Sequence, residues 1–198
     1  MNKDFLSLKE KALKSLEADI DRVDKNILPL LEIINASDHF FTTSSCSGRV
    51  ALMEIPEIGM KKDARFLGKW HDNINVKEFK NALNKAKEGV MWFFAQPPIL
   101  HIVADELKNA QELVKIGITS GFKNSVFKSV EGKIVIELAS TERFDVPLGR
   151  DGFLFCDESY LSLLCDIGNE VLVKSRKKID KMVKALLDLN CKNFTRRR

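Results

Sequence analysis

Two stretches of the chain, one at each end, repeat apolar side chains every three or four residues. Leu13, Leu16, Ile20, Val23, Ile27, Leu31 and Ile34 form one such stripe. It predicts a helix from about Lys3 into the thirties, with a kink or restart at Pro29, which has no backbone N–H to donate. Leu161, Leu164, Leu172, Ile179, Met182, Val183 and Leu186 predict a second long helix from about Ser159 to Leu189. Gly168 is a weak point inside it and Asn190 a stop. Between these helices the period falls to two, or to short apolar runs. Strands are predicted at 40–43 and 50–55 around a turn, at 90–95 and 99–104 on either side of Pro97-Pro98, and at 133–139 and 143–148 as an antiparallel pair. Val76–Lys87 and Glu106–Ile116 read as shorter helices. The pattern predicts an α+β fold with a mixed sheet whose faces are covered by the long terminal helices. No linker rich in Gly, Pro or Ser interrupts it, so residues 1–198 are expected to form one domain, with 191–198 as a flexible basic tail.

Composition narrows the class. The chain is 44% hydrophobic and 30% charged, with ten Gly and five Pro, which is enough apolar material for a core and excludes a collagen or a disordered chain. No apolar run reaches the roughly 18 residues that span a bilayer. The start, Met1-Asn2-Lys3-Asp4, lacks a signal-peptide pattern, so a soluble, cytoplasmic protein without a membrane partner is expected. Cys46, Cys156, Cys165 and Cys191 are far apart, and none sits in a metal-binding spacing, so neither a disulfide framework nor a metal is expected. The formal net charge is +4, and the four basic residues of the tail (Lys192, Arg196, Arg197 and Arg198) account for all of it. Any field that attracts nucleic acid must therefore come from local patches.

The most unusual stretch is Thr42-Thr43-Ser44-Ser45-Cys46-Ser47-Gly48-Arg49, six residues with a hydroxyl or thiol followed by Gly and Arg. Buried hydroxyls each need a partner, so the run suits a loop between strands. It is either a solvated polar turn closed by a surface Arg, or an anion cradle of inward backbone N–H groups with Gly48 at positive φ and Arg49 as a guanidinium fork.

This stretch resembles the S-x-S-S-C-x-G-R signature of the tRNA wybutosine-synthesising protein 3 family, with Thr42 in place of Ser. Trp70-His71, Gln96-Pro97-Pro98-Ile99-Leu100-His101, Ser120 to Ser125 (with Lys123 where Arg is expected), Glu142 to Leu148, Tyr160-Leu161 and Asn169-Glu170 follow in order. The resemblance runs from about Asp24 to Leu186. It implies an S-adenosylmethionine-dependent methyltransferase acting on the N4 ring nitrogen of a tricyclic guanosine derivative, 3′ of the anticodon in tRNA-Phe. It also implies a three-layer α/β/α fold, unlike a Rossmann methyltransferase, and the sequence has no G-x-G-x-x-G turn. The partner it implies is tRNA, gripped at the anticodon arm. An alternative reading is a non-catalytic RNA-binding module using the same basic loop and tail.

Candidate residues follow from residue chemistry and the resemblance together. Thr43, Ser44, Ser45, Gly48, Arg49 and Ser120 are the candidates for holding the cofactor. His101, Ser45 and Cys46 are the candidates for the reaction. His101 shares a strand face with Ile99 and Val103; it is either a satisfied core histidine or a base at the acceptor nitrogen. Cys46 is better read as packed or hydrogen-bonding than as a thiolate nucleophile, because a ring nitrogen already offers a lone pair. Lys61, Lys62, Arg65 and Lys69, interleaved with Phe66 and Trp70 and followed by His71, read either as a solvated loop with both aromatics tucked into the core or as a loop contacting RNA, with Phe66 in the core and Trp70 near the modified base. Asn124 and Arg143 are substrate candidates on resemblance, although Arg143 and Asp145 share a face and could simply pair.

Overall fold

The polar and helix-breaking positions divide the predicted helices and decide where strands begin. A computed structural model of the chain describes residues 3–59 and 62–195. The first long stripe is cut in two, as α1 (Lys3–Ala18) and α2 (Leu28–Ala36), with a short 3-10 turn at Ile20–Arg22 between them. Pro29 lies in the first turn of α2, where its missing N–H would have had no partner, so the chain restarts rather than kinks. The remaining elements are β1 (Phe40–Cys46), β2 (Arg49–Ile55), β3 (Arg65–Trp70), α3 (Val76–Leu83), β4 (Val90–Gln96), β5 (Ile99–Ala104), α4 (Leu107–Ser120), β6 (Val126–Ser129), β7 (Ile134–Ala139), β8 (Phe144–Arg150), β9 (Phe153–Leu154) and α5 (Glu158–Thr195). α5 continues past Asn190 because neither Gly nor Pro follows to stop it.

The fold is α+β, but the sheet is not one mixed sheet. Two sheets form, ordered β1-β5-β7-β6 and β3-β2-β4-β8-β9, and every strand pairing is antiparallel. The expected hairpins are absent as well. β1 pairs with β5, β2 with β3 and β4, β7 with β5 and β6, and β8 with β4 and β9. Short links that read as turns in the sequence are instead passages of the chain from one sheet to the other. At Pro97-Pro98 the residues themselves oppose a tight turn, since proline fixes φ at about −65° and cannot supply the positive φ of a two-residue hairpin; at Ser47-Gly48 the positive φ of Gly48 is present and the chain still passes on.

Contacts divide the chain into two compact units. The first takes the segments up to Ser47, Pro98–Thr141 and from Arg176 onward; the second takes Gly48–Pro97 and Glu142–Ser175. In the first unit, Leu100 and Ile102 of β5 and Ile136 and Leu138 of β7 point to one face. They are buried against Leu30, Leu31 and Ile34 of α2, Leu113 of α4, and Ile179 and Met182 of α5. Each such side chain contributes roughly 1.5–3 kcal/mol on leaving water. On the opposite face Phe5 of α1 packs with Phe41 and Val103, joined by Leu8, Ala12 and Val135. In the second unit Val50, Leu52, Met91, Phe93 and Leu148 pack against Phe79 of α3 and Leu161, Leu164 and Leu172 of α5. α5 lies close against that sheet at Gly168, where a Cβ would lie 3.0 Å from Val50 and 3.2 Å from Phe93. A helix-weakening residue is tolerated where it lets the packing close.

Candidate functional site

The hydroxyl-rich run is strand, not loop: residues 42–46 belong to β1, and Arg49 opens β2. An edge strand can carry small hydroxyls where a central strand could not, because their polar groups find partners beside the sheet. Thr42 donates its N–H to the Asn35 side chain (2.8 Å) and exchanges a hydroxyl hydrogen bond with it. Thr43 Oγ1 donates to the His101 carbonyl (3.3 Å), and buried Ser47 donates to Asp24. The register of β1 on β5 slips between Thr42 and Ser44, and beyond the slip Ser44 stands opposite His101. Bulges of this kind re-aim side chains.

A chain of polar contacts then crosses the sheet. Ser44 Oγ lies 2.8 Å from His101 Nδ1, His101 Nε2 lies 2.8 Å from Glu137 Oε2, and Lys128 Nζ lies 3.0 Å from the same carboxylate oxygen. Alternation puts these residues on the face where α1 covers Val103 and Val135, leaving the His101 and Glu137 side chains 30% and 17% exposed. Burial pushes the Glu137 carboxyl up, but hydrogen bonds and charge from Lys128 and His101 outweigh it and hold the group below the usual carboxylate range. Ser44 also lines a cavity of about 350 Å³ with Thr42, Thr43 and Ser45 on one side and Ala12, Ser15, Leu16, Asp19 and Val23 on the other.

The second unit holds the other end of the signature. Gly48 takes φ +96°, and its carbonyl accepts a hydrogen bond from His71 Nδ1 (2.9 Å). Arg49 Nε donates to Gln96 Oε1 (2.7 Å), and its guanidinium lies 5.7 Å from the Phe66 ring centroid. From Arg65 to Trp70 the basic segment is strand rather than loop, and its aromatics exchange the expected places. Leu67 of β3 faces the core, so Phe66 is 48% exposed, whereas Trp70 lies across Gly68 and packs on the core. Arg65 is held by buried Glu54 and by the Lys85 carbonyl (2.9 Å). Lys62 and Lys69 are exposed, and Lys61 lies outside the described residues.

Other candidates are dispersed. Ser45 and Cys46 are half-buried. Ser120, the last residue of α4, is buried, and its hydroxyl has no hydrogen-bond partner among the described residues. Asn124 is exposed with its N–H on the Ala139 carbonyl (2.9 Å), and Arg143 pairs with Asp145. Of the basic tail, 196–198 lie outside the described residues, and the chain from 191 to 195 continues α5. Sequence reasoning missed Glu137, Lys128 and Asp19. Glu137 had a readable signal, being the one charged residue in the apolar strand 134–139.

A hydroxyl-walled cavity beside a hydrogen-bonded histidine suits an enzyme that transfers a group to a nitrogen or oxygen of its substrate, and comparison with known proteins gives that class as methyltransferase. The family described as "Methyltransferase TYW3" matches residues 7–188, and the chain belongs to that family. A Thermococcus sibiricus protein named tRNA(Phe) 7-((3-amino-3-carboxypropyl)-4-demethylwyosine(37)-N(4))-methyltransferase is 43% identical over 91% of this chain and 93% of its own. A Pyrococcus horikoshii protein of the same name, numbered 1, is 40% identical over 94% and 96%. Among solved structures, the PH1069 protein from Pyrococcus horikoshii superposes with TM-score 0.88 at 40% identity, covering 92% of this chain and 95% of that one. A hypothetical protein from Aeropyrum pernix gives 0.73 at 28% identity, covering 84% and 98%.

Proposed function

We propose that the protein methylates N4 of the 4-demethylwyosine derivative at position 37 of tRNA(Phe), with S-adenosylmethionine as donor. The observation that carries the site assignment is Ser44, whose hydroxyl is bonded to His101 while its side chain lines the 350 Å³ cavity. That volume falls within the roughly 300–1,000 Å³ of small-ligand sites. Its walls fit the cofactor: Ala12, Leu16 and Val23 offer apolar surface for a purine, Ser15 and the β1 hydroxyls offer partners for ribose and carboxylate, and Asp19 offers a carboxylate for the ammonium. When bound, S-adenosylmethionine supplies an electrophilic methyl group on a positively charged sulfur. The reaction joins N4 to that carbon, breaks the carbon–sulfur bond and releases the N4 proton. Holding acceptor and methyl in line and excluding water does most of the work. The Ser44–His101 pair takes up the proton.

In this reading Arg49 holds a carboxylate or phosphate, exposed Lys62 and Lys69 meet the tRNA backbone, and exposed Phe66 stacks on an unpaired base of the anticodon arm. The reading includes the three-layer α/β/α arrangement, a reaction that needs no metal, and a place in the cytoplasm with the tRNA. The test is to mix the protein, S-adenosylmethionine and tRNA carrying the unmethylated tricyclic base, then weigh the released nucleoside. A gain of one methyl is expected; an unchanged mass with intact tRNA overturns the assignment.

A further inference from the structure

We propose that Glu137 is a positioning residue for the proton transfer: it fixes His101 in the tautomer that aims a lone pair at Ser44, and Lys128 sets how strongly it does so. The inference rests on the reading above, in which the Ser44–His101 pair receives the N4 proton.

An ionised carboxylate only accepts hydrogen bonds, and the Glu137 carboxyl is held ionised. The 2.8 Å contact from its Oε2 therefore requires a proton on His101 Nε2. In a neutral imidazole the other nitrogen then carries a lone pair, so Nδ1 accepts from the Ser44 hydroxyl across 2.8 Å. Ser44 can take a proton from substrate only while passing its own to Nδ1. With the opposite tautomer Nδ1 would donate to Ser44 and the path would be closed.

Lys128 donates to the same oxygen at 3.0 Å and partly spends the carboxylate's charge. On α1, Lys9 donates to the Ser37 carbonyl and Lys14 pairs with Glu10 in solvent; Asp19 lines the cavity beside Ser44.

Two variants separate the carboxylate's hold on the ring from its pairing with Lys128. Glu137→Gln removes the charge and lets an amide face Nε2 with either its oxygen or its nitrogen. Lys128→Met leaves the carboxylate unshared. Nitrogen NMR of the His101 ring, assigned with His101→Asn in protein free of tRNA and cofactor, reads the tautomer directly. Wild type and Lys128→Met should show the proton on Nε2, and Glu137→Gln should show a mixture. In turnover, Glu137→Gln should lower kcat by at least about tenfold, with both KM values within about twofold, and Glu137→Asp should recover part of it. An unmixed Nε2-protonated ring in Glu137→Gln, a mixed ring in Lys128→Met, or a kcat of Glu137→Gln within about twofold of wild type overturns the proposal. A wild-type protein that transfers no methyl overturns the reading of function instead, and the ring signals still decide what Glu137 does.

Discussion

Glu54 and Glu137 are the same chemical group in similar settings, and they do different things. Each stands on an interior strand of an antiparallel sheet, β2 in one and β7 in the other, with its side chain 5% and 17% exposed. In both, burial pushes the carboxyl up while partners outweigh that and hold it below the usual range. The difference lies in where the partners lead. Glu54 takes both the Nε and Nη2 of half-exposed Arg65 and the backbone N–H groups of Lys87 and Glu88, and Arg65 goes on to a backbone carbonyl, that of Lys85. Glu137 takes an exposed ammonium and an imidazole that continues to an exposed serine. A buried carboxylate with a lowered pKa therefore does not mark a site by itself. The mark is a path from it through an imidazole to a hydroxyl beside a cavity.

Three measurements can break or sharpen that contrast. The largest effect is expected from Glu54→Ala, which takes the carboxylate from the Lys87 and Glu88 N–H groups while half-exposed Arg65 can turn to water, and should cost about 2–4 kcal/mol in chemical denaturation. Methyl transfer per folded molecule should stay near wild type; a stability change below about 1 kcal/mol would show that the Glu54 network does not hold the second unit together. Gly68→Ala should follow. A Cβ there would lie 2.0 Å from the Trp70 ring, so the indole must leave its place, at about 1–3 kcal/mol. Tryptophan emission should shift with it, and unchanged emission would mean that Trp70 is not seated as described.

The smallest effect is expected in the pH dependence of unfolding. Glu54 and Glu137 both have folded values below the unfolded carboxylate value near about 4.3. Their contribution is full above that value and is lost as pH falls through the folded values. Unfolding free energy measured from about pH 6 to about pH 3 should therefore decline less steeply in Glu54→Gln and in Glu137→Gln than in wild type. Equal slopes in all three proteins would remove the carboxylates as the cause.

Much of this was legible in the sequence, and the failures have physical causes. The two terminal stripes and six of the strands lie where periodicity places them, because each buries one face. β3 and β6 escaped notice because their apolar residues are few and partly exposed, and β9 because it is two residues long. Partnership escaped notice too. Alternation says which face is buried but not which strand lies alongside, and a short link looks the same whether it turns back or passes on. For the site, Ser44, His101 and Arg49 were visible as unusual residues. Glu137 was visible only as a charge out of pattern, and its tie to His101 needed the register of β5 on β7.

The interleaving of the two units bears on how the protein is made. The first unit's core unites Leu30 and Leu31 near the start with Ile179 and Met182 near the end. As the chain leaves the ribosome, α2 must therefore wait for the last helix before its apolar face is covered. A nascent chain stalled short of Arg176 would expose that face and invite capture by a chaperone, and no single cut of the gene would release either unit whole.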